Sequence, residues 1–152
     1  MRGEGGGSEG NGEQETGNRK RGTGNRKRGT GNGEQRMTRD YRDLVVWQQA
    51  MELCESVYVL LRKFPAEEKY ALCDQLRRAV VSIPSNIAEG NGRGSKTEYA
   101  RFLAIARGSL FEVRTQLELS ERLRYVKVPE ETWLLIDSIS KMLFALMSKL
   151  RT

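Results

Sequence analysis

Residues 75–93 read QLRRAVVSIPSNIAEGNGR. Apolar side chains recur here every three or four positions, and the same period begins slightly earlier, giving the series Leu72, Leu76, Ala79, Val80, Ile83 and Ile87. This spacing predicts an amphipathic α-helix with one face in a core. Pro84 interrupts the pattern and either kinks one long helix or splits it in two. Because the period continues through Ile87 and Ala88, we expect a kink, with the helix ending at Gly90–Gly94.

The residues before this helix predict another helix, from about Asp40 to Lys63. Its main apolar stripe consists of Leu44, Trp47, Met51, Cys54, Tyr58 and Leu61. Further apolar positions widen the stripe, namely Val46, Leu53, Val57 and Leu60. So wide an apolar surface indicates contact with more than one neighbour. Phe64-Pro65 ends this helix, because the residue before a proline is disfavoured in the helical region. The next helix is expected to begin near Ala66.

Ser95-Lys96-Thr97-Glu98 is a capping box, which marks the start of a third helix. The core stripe of this helix consists of Tyr99, Phe102, Leu103, Ala106, Leu110, Val113 and Leu117. The pair Gly108-Ser109 lies in mid-helix, where the glycine costs about 1 kcal/mol of helix stability. We expect these small residues to allow close approach of another helix.

A fourth helix begins at Pro129, followed by Glu130 and Glu131 in its first turn. Its apolar stripe consists of Trp133, Leu135, Ile136, Ile139, Leu143, Leu146 and Leu150. The connections between the helices are short, which predicts antiparallel neighbours. We therefore predict an all-α fold, an antiparallel up-down four-helix bundle over residues 39–152, preceded by a disordered N-terminal segment.

Residues 1–38 form a low-complexity segment rich in Gly, Arg and Lys. No Leu, Ile, Val, Phe, Trp or Tyr occurs before Met37, so the segment cannot bury enough apolar surface to offset its ordering entropy. Residues 16–22, TGNRKRG, are repeated at 23–29. Purine-rich DNA upstream of a true start at Met37 would yield such a repeat. The alternative is an arm that binds RNA through the Arg-Lys-Arg cluster of each copy.

Histidine is absent, and the formal net charge is +6. Without histidine the chain cannot form a Ser-His or Cys-His nucleophile pair, or the Glu-x-x-His motifs of di-iron bundles. We therefore expect no enzymatic activity, no metal and no cofactor.

Cys54 and Cys73 are too few for a zinc site and are expected to be reduced core residues of a cytoplasmic protein. No apolar run has the length a membrane span requires. The basic balance permits a nucleic acid as partner.

Polar and charged side chains lie beside the core stripes of the second and third helices. One interpretation is a structural network across these two helices, since a buried arginine must be paired. Its expected members are Arg78, Asn86, Glu89, Arg107 and Glu112. The other interpretation is a basic surface that contacts phosphate. The candidates for nucleic-acid binding lie off the stripe or in the connecting loop, and they are Arg77, Arg93, Lys96 and Arg101.

Three stretches of the chain resemble a bacterial family, the four helix bundle proteins whose founding members are encoded in intervening sequences of 23S rRNA genes. They are residues 43–64, which contain DLVVWQQAMEL, residues 75–93, quoted above, and residues 101–112, RFLAIARGSLFE. The resemblance implies a bundle protomer that assembles into a ring of five subunits. It also implies a likeness in fold to the accessory variability protein of diversity-generating retroelements, which binds RNA and a reverse transcriptase.

Charge and resemblance together lead us to expect a non-enzymatic homo-oligomer, a pentamer, of the 23S rRNA-intervening-sequence type. Its expected partner is RNA or DNA, with RNA favoured. The alternative is a protein-interaction or structural oligomer that acts as an accessory to a reverse transcriptase or another protein.

Overall fold

The structure, a computed structural model, describes residues 40–152. The expectations for the N-terminal segment, which concern its disorder, its repeat, its Arg-Lys-Arg clusters and a start at Met37, lie outside the described residues.

Within residues 40–152 the long elements are four α-helices: α1, Val45–Leu61; α2, Leu72–Gly92; α3, Lys96–Arg122; and α4, Glu130–Arg151. Two single turns of 3-10 helix, Tyr41–Asp43 and Ala66–Glu68, precede α1 and α2. The first and second helices are thus shorter than predicted. A separate turn of 3-10 helix lies where each of these two α-helices was expected to begin.

Each helix packs against the helices before and after it in the chain, and α4 closes the bundle against α1. Neighbours run antiparallel. Gln75 near the start of α2 bonds Gln116 near the end of α3, while Ser82 and Ser109 meet midway along both helices. The all-α four-helix bundle predicted from the sequence is therefore confirmed for residues 40–152.

The stripes predicted on α2, α3 and α4 line the core. Side chains with almost no exposed surface are Leu76, Ile83, Ile87, Leu103, Leu110, Leu117, Ile136, Ile139 and Leu143. Burying each such side chain contributes about 1.5–3 kcal/mol relative to leaving it in water. This apolar interior is the main source of the bundle's stability.

The core face of α1 differs from the predicted one. The buried residues are Val46, Ala50, Leu53, Val57, Leu60 and Leu61. Met51 and Tyr58, which the prediction placed in the main stripe, are instead 38% and 44% exposed. Both series have a helical period, so periodicity alone does not choose between them. Ala50 belongs only to the buried series, and its small side chain lets neighbouring helices come close at that level.

Pro84 lies inside α2 without ending it, which confirms one long helix across this position. Proline has no N–H, so it cannot donate to the carbonyl of Val80, four residues earlier. The Cys54 thiol of α1 donates to that carbonyl oxygen instead, with the sulfur 3.2 Å from it. A side chain of one helix thus supplies the donor that the neighbouring helix lacks.

Of the pair Gly108-Ser109, which was expected to allow close approach of another helix, Ser109 meets Ser82 of α2 but Gly108 does not take part. The backbone of α2 comes closest to α3 at Gly90 instead. A Cβ on Gly90 would lie 2.7 Å from the Cβ of Phe102 and 2.9 Å from the ring of Tyr99. A Cβ on Gly108 would meet no atom within 4 Å. The predicted cap of α3 is present, since Ser95 Oγ accepts from the Glu98 N–H at 3.4 Å.

Candidate nucleic-acid interface

The four basic residues predicted to bind nucleic acid do not form one surface. Arg93, Lys96 and Arg101 surround the connection between α2 and α3. Arg77 lies in the first two turns of α2, sixteen positions before Arg93. That separation is about 24 Å along a helix that rises 1.5 Å per residue. Arg77 therefore belongs to the opposite end of the bundle.

Two of the three cations at the α2–α3 connection are already paired. Arg93 lies 2.6 Å from the carboxylate of Glu89, one helical turn earlier, and its guanidinium also covers the ring of Phe102 at 5.1 Å. Arg101 lies 3.8 Å from Glu98. A phosphate would have to compete with these carboxylates. Lys96 makes no ion pair with any described residue.

The other end of the bundle presents free cations. We call it the loop end, because it holds the α1–α2 connection (residues 62–71) and the α3–α4 connection (residues 123–129). Among the described residues, none of its principal cations has a carboxylate oxygen within 4.0 Å. These cations are Arg62, Lys63, Lys69, Arg77, Arg124 and Lys127. All are exposed except Arg77, which is half-buried.

Tyr70 stands out at the loop end because 84% of its surface is exposed. The Lys69 ammonium lies 5.3 Å from the centre of its ring. Arg77 reaches back over the same turn and donates a hydrogen bond to the Lys69 carbonyl at 3.4 Å. An accessible aromatic ring thus has one cation over it, and a second cation, Arg77, bonds the backbone of the preceding residue. Sequence reasoning missed Tyr70, which belongs to no apolar stripe, although its position in the polar turn before α2 was an available signal.

A cavity of about 650 Å³ opens at the loop end, lined by Lys63, Glu121, Arg124, Tyr125, Val126 and Lys127. Its single carboxylate, Glu121, accepts a hydrogen bond from the Val128 N–H at 2.8 Å. The Tyr125 hydroxyl donates to Glu68 at 3.0 Å, and this bond to a carboxylate raises the pKa of Tyr125. The cavity therefore combines three cations with one acid that is held by a backbone N–H.

Arg124 has a φ of 61°, in the left-handed region. It follows the last residues of α3 in a Schellman motif, in which the Tyr125 N–H bonds the Ser120 carbonyl and the Arg124 N–H bonds that of Glu121. Glycine is the usual residue at such a position, because a Cβ is disfavoured there. This chain carries an arginine instead, and its side chain lines the cavity.

The five residues expected to form a network across α2 and α3 are paired differently. Arg78 and Glu89 pair within α2, with Asp74 and Arg93 respectively. Asn86 donates to Ser82, and the Arg107 guanidinium covers the Phe111 ring at 5.3 Å while its Nε is buried without a partner among the described residues. Glu112 accepts from Gln116 of its own helix.

Uncharged groups make the polar contacts between α2 and α3. Ser82 and Ser109 share a hydrogen bond of 2.8 Å, and Gln116 donates to Gln75 at 3.2 Å. Burying a charge costs far more than burying a hydroxyl or an amide that keeps its hydrogen bond. Arg78 and Glu89 therefore pair at the surface, one turn away on their own helix. The hydrogen bonds that cross between the helices join Ser82 to Ser109 and Gln116 to Gln75.

A second concave surface is apolar. A groove of about 720 Å³ runs between α1 and α2, and its lining includes Tyr41, Trp47, Met51, Cys54, Tyr58, Val59, Val81 and Pro84. Much of the stripe predicted on α1 lies here. Burial raises the pKa of the Cys54 thiol to about 11, with a further contribution from the neighbouring Glu55. The groove leaves Tyr58 and Val81 more than 40% exposed.

In the part of the chain that the structure describes, no three His, Cys, Asp or Glu residues come together as metal ligands. No helix within residues 40–152 is both long enough and apolar enough to cross a membrane.

Four antiparallel helices around one apolar core define the class of this chain, a four-helix bundle protein. A family model described as 23S rRNA-intervening sequence protein matches residues 42–145, and the chain belongs to that family. The matched range begins just before α1 and reaches well into α4, so it includes the loop end and every lining residue of the groove except Tyr41. No curated protein matches the chain. The family match confirms the resemblance that was drawn from residues 43–64, 75–93 and 101–112.

Proposed function

We propose that this member of the 23S rRNA-intervening sequence family is a non-enzymatic, oligomeric protein of the cytoplasm that associates with RNA. The observation that carries the proposal is the set of unpaired cations at the loop end. A cation without a carboxylate neighbour can bind phosphate and release counterions from the nucleic acid without first losing a protein ion pair. Arg77, one of the residues expected to bind nucleic acid, belongs to this set.

The apolar groove between α1 and α2 supports the oligomeric part of the proposal. A surface that exposes Met51, Tyr58, Val59 and Val81 together is typical of a protein contact. The last helix, α4, also exposes apolar side chains, since Leu134 is 60% exposed and Phe144 is 61% exposed. A ring in which each subunit meets the next, the pentamer implied by the family, would cover such surfaces and present several loop ends at once. Several weak sites on one assembly bind far more tightly than one.

Two variants with the same loss of charge test the RNA association. Lys69, Arg77 and Lys127 become alanine in the first, and Arg93, Lys96 and Arg101 in the second. Binding of a labelled structured RNA is measured over a series of salt concentrations. Log K falls with log salt by about 0.7–0.9 for each phosphate that is neutralised. We expect the first variant to have the shallower slope and the second to resemble the wild type.

Two outcomes contradict this proposal. One is an RNA that is not retained by the wild-type chain even at low salt. The other is equal slopes for the two variants, which would move the contacts away from the loop end.

The groove alone also favours a second candidate function, that of a structural or interaction oligomer serving a reverse transcriptase or another protein. Oligomerisation without any salt-dependent RNA binding would support that candidate.

A further inference from the structure

We propose that the loop end binds a single-stranded RNA segment, with a phosphate in the cavity of Lys63, Arg124 and Lys127 and the adjacent base stacked on Tyr70. This inference rests on the proposed RNA association and assigns it a site. Three steps lead to it: the charge of the cavity, the conformation of Arg124, and the surroundings of Tyr70.

The cavity has a net positive lining and a volume of about 650 Å³, which is ample for a phosphate group. Lys63, Arg124 and Lys127 approach it from two different connections of the bundle, so their positive charges converge on one concave space. Glu121, whose Oε1 accepts the Val128 N–H, offsets one of these three charges, so the lining remains net positive. Basic side chains around a concave surface attract an anion more strongly than the same side chains spread over a convex one.

Arg124 supplies an independent argument. It occupies the left-handed position of the Schellman motif with a φ of 61°, where glycine would be more stable. A residue held in an unfavourable backbone conformation points to a functional reason for that side chain. The side chain at this position is a guanidinium that lines the cavity, and guanidinium groups bind phosphate oxygens in a bidentate manner.

Tyr70 supplies the site for a base. The exposed residues of the groove lie among other apolar side chains, whereas the Tyr70 ring has the Lys69 ammonium 5.3 Å from its centre, and Arg77 bonds the Lys69 carbonyl. Glu68 links this turn to the cavity, because its carboxylate accepts from the Tyr125 hydroxyl that lines the cavity, and Tyr70 is two residues further along. The ring and the phosphate site thus lie on the same end of the bundle.

These features favour single-stranded RNA over a duplex or an acidic peptide. Aromatic rings stack on bases only when the bases are unpaired and splayed from a strand. A duplex hides its bases and would use the cations alone. An acidic peptide without aromatic side chains would likewise use the cations alone and leave the Tyr70 ring uncovered.

The experiment uses the full chain, a fluorescein-labelled oligouridine and a labelled RNA duplex of equal length. Tyr70→Ala is compared with Tyr70→Phe, which keeps the ring. Removing a stacking side chain weakens binding by about 5- to 150-fold. We expect that loss for oligouridine with Tyr70→Ala, little change with Tyr70→Phe, and little effect of either substitution on duplex binding. The N-terminal segment is the same in every variant, so differences report on the loop end.

Arg124→Gly provides a second measurement that a purely structural role would not reproduce. Glycine relieves the left-handed backbone, so the melting temperature should rise while oligouridine binds more weakly. The salt slope should become shallower by about 0.7, the value for one phosphate of a single strand. Lys141→Ala, which removes one exposed charge midway along α4, should leave both properties unchanged.

The outcomes separate this inference from the proposed function. If wild-type protein binds RNA but Tyr70→Ala binds oligouridine as tightly as wild type, the base site is overturned and the RNA association stands. If Arg124→Gly is more stable and binds with the wild-type salt slope, the phosphate site is overturned. If polyglutamate displaces oligouridine at an equal concentration of charge, the site is one for acidic proteins. If no RNA binds at all, both proposals fail.

Discussion

A single proline explains why Cys54 is placed where it is. Pro84 leaves the Val80 carbonyl of α2 without its helical donor, and the thiol of α1 takes that role at 3.2 Å. A thiol donates only while it carries its proton. The structure therefore ties the α1–α2 contact to the protonation state of one half-buried side chain, even though that side chain has no catalytic partner.

This contact predicts an alkaline loss of stability. Burial raises the pKa of Cys54 from the ordinary value of 9.0 to about 11, so the folded state favours the protonated thiol. Its contribution is fully present below pH 9.0 and is lost as the pH rises through about 11. Urea denaturation across this range should show a smaller loss for Cys54→Ala than for wild type. An identical pH dependence would show that the thiol contributes nothing. Tyr99 and Tyr125, whose pKa values are also raised, remain in both proteins.

Gly90 and Gly108 give opposite predictions for the same substitution. Gly90→Ala would place a Cβ 2.7 Å from that of Phe102, which has no flexible end to move away. Such overpacking typically costs about 1–3 kcal/mol. Gly108→Ala meets no atom within 4 Å and should stabilise α3 by up to about 1 kcal/mol through helix propensity. Chemical denaturation measures both, and a stable Gly90→Ala protein would mean that α2 and α3 can separate without loss.

At the scale of the helices, α1 shows what periodicity can and cannot predict. On α2 and α3 the predicted stripe coincides with the buried face, apart from Leu72 and Phe102, which are only half-buried. On α1 apolar residues cover so much of the circumference that two stripes fit, and the packing of the other helices selects one. The excess is only partly buried, with Trp47 and Cys54 packed against the core and Met51 and Tyr58 exposed. It forms the wall of the groove between α1 and α2.

Two substitutions on α1 test this assignment. Leu53 is fully buried and Met51 is 38% exposed, although the two positions are only two residues apart. Leu53→Ala should cost about 2–5 kcal/mol, as for buried leucines generally. Met51→Ala should cost less than about 1 kcal/mol in the unassembled subunit, since a partly exposed side chain leaves no closed cavity. The reverse order in thermal or urea melts would show that the helix is rotated relative to this description.

The candidate site was predictable only in part, for reasons visible in individual residues. Residue type and charge are present in the sequence, and so is the four-residue spacing that lets Glu89 neutralise Arg93. The left-handed conformation of Arg124 carries no sequence signal, because the usual marker, glycine, is absent. The loop end itself forms only when two connections that are far apart in the chain meet at the same end of the bundle. Tyr70 becomes a candidate site residue only because the two connections lie at the same end of the bundle.

For the whole molecule, the groove and the loop end divide the surface into two kinds of contact. The groove is apolar and has one acid and one base, Glu55 and Arg62, at its border. The loop end is rich in cations that form no ion pair within residues 40–152. Contacts between protein subunits favour the first kind of surface, and contacts with phosphate favour the second. An assembly can therefore form through the groove and leave its loop ends accessible.

This division predicts that oligomerisation depends on the groove and is insensitive to salt. Light scattering of the wild-type chain at micromolar concentration should give a multiple of the 17.3 kDa subunit mass, with five as the expected number. Val81→Glu places a charge in the groove at a residue that is 42% exposed, and it should lower the mass toward one subunit because an interface strongly disfavours an unpaired charge. Leu119→Glu is the matched control, since Leu119 is 44% exposed on α3 and does not line the groove. A monomeric wild-type protein, or equal dissociation by both substitutions, would remove the groove as the subunit contact.

Dissociation by Val81→Glu alone should also weaken RNA binding, because an isolated subunit presents a single loop end where the ring presents several.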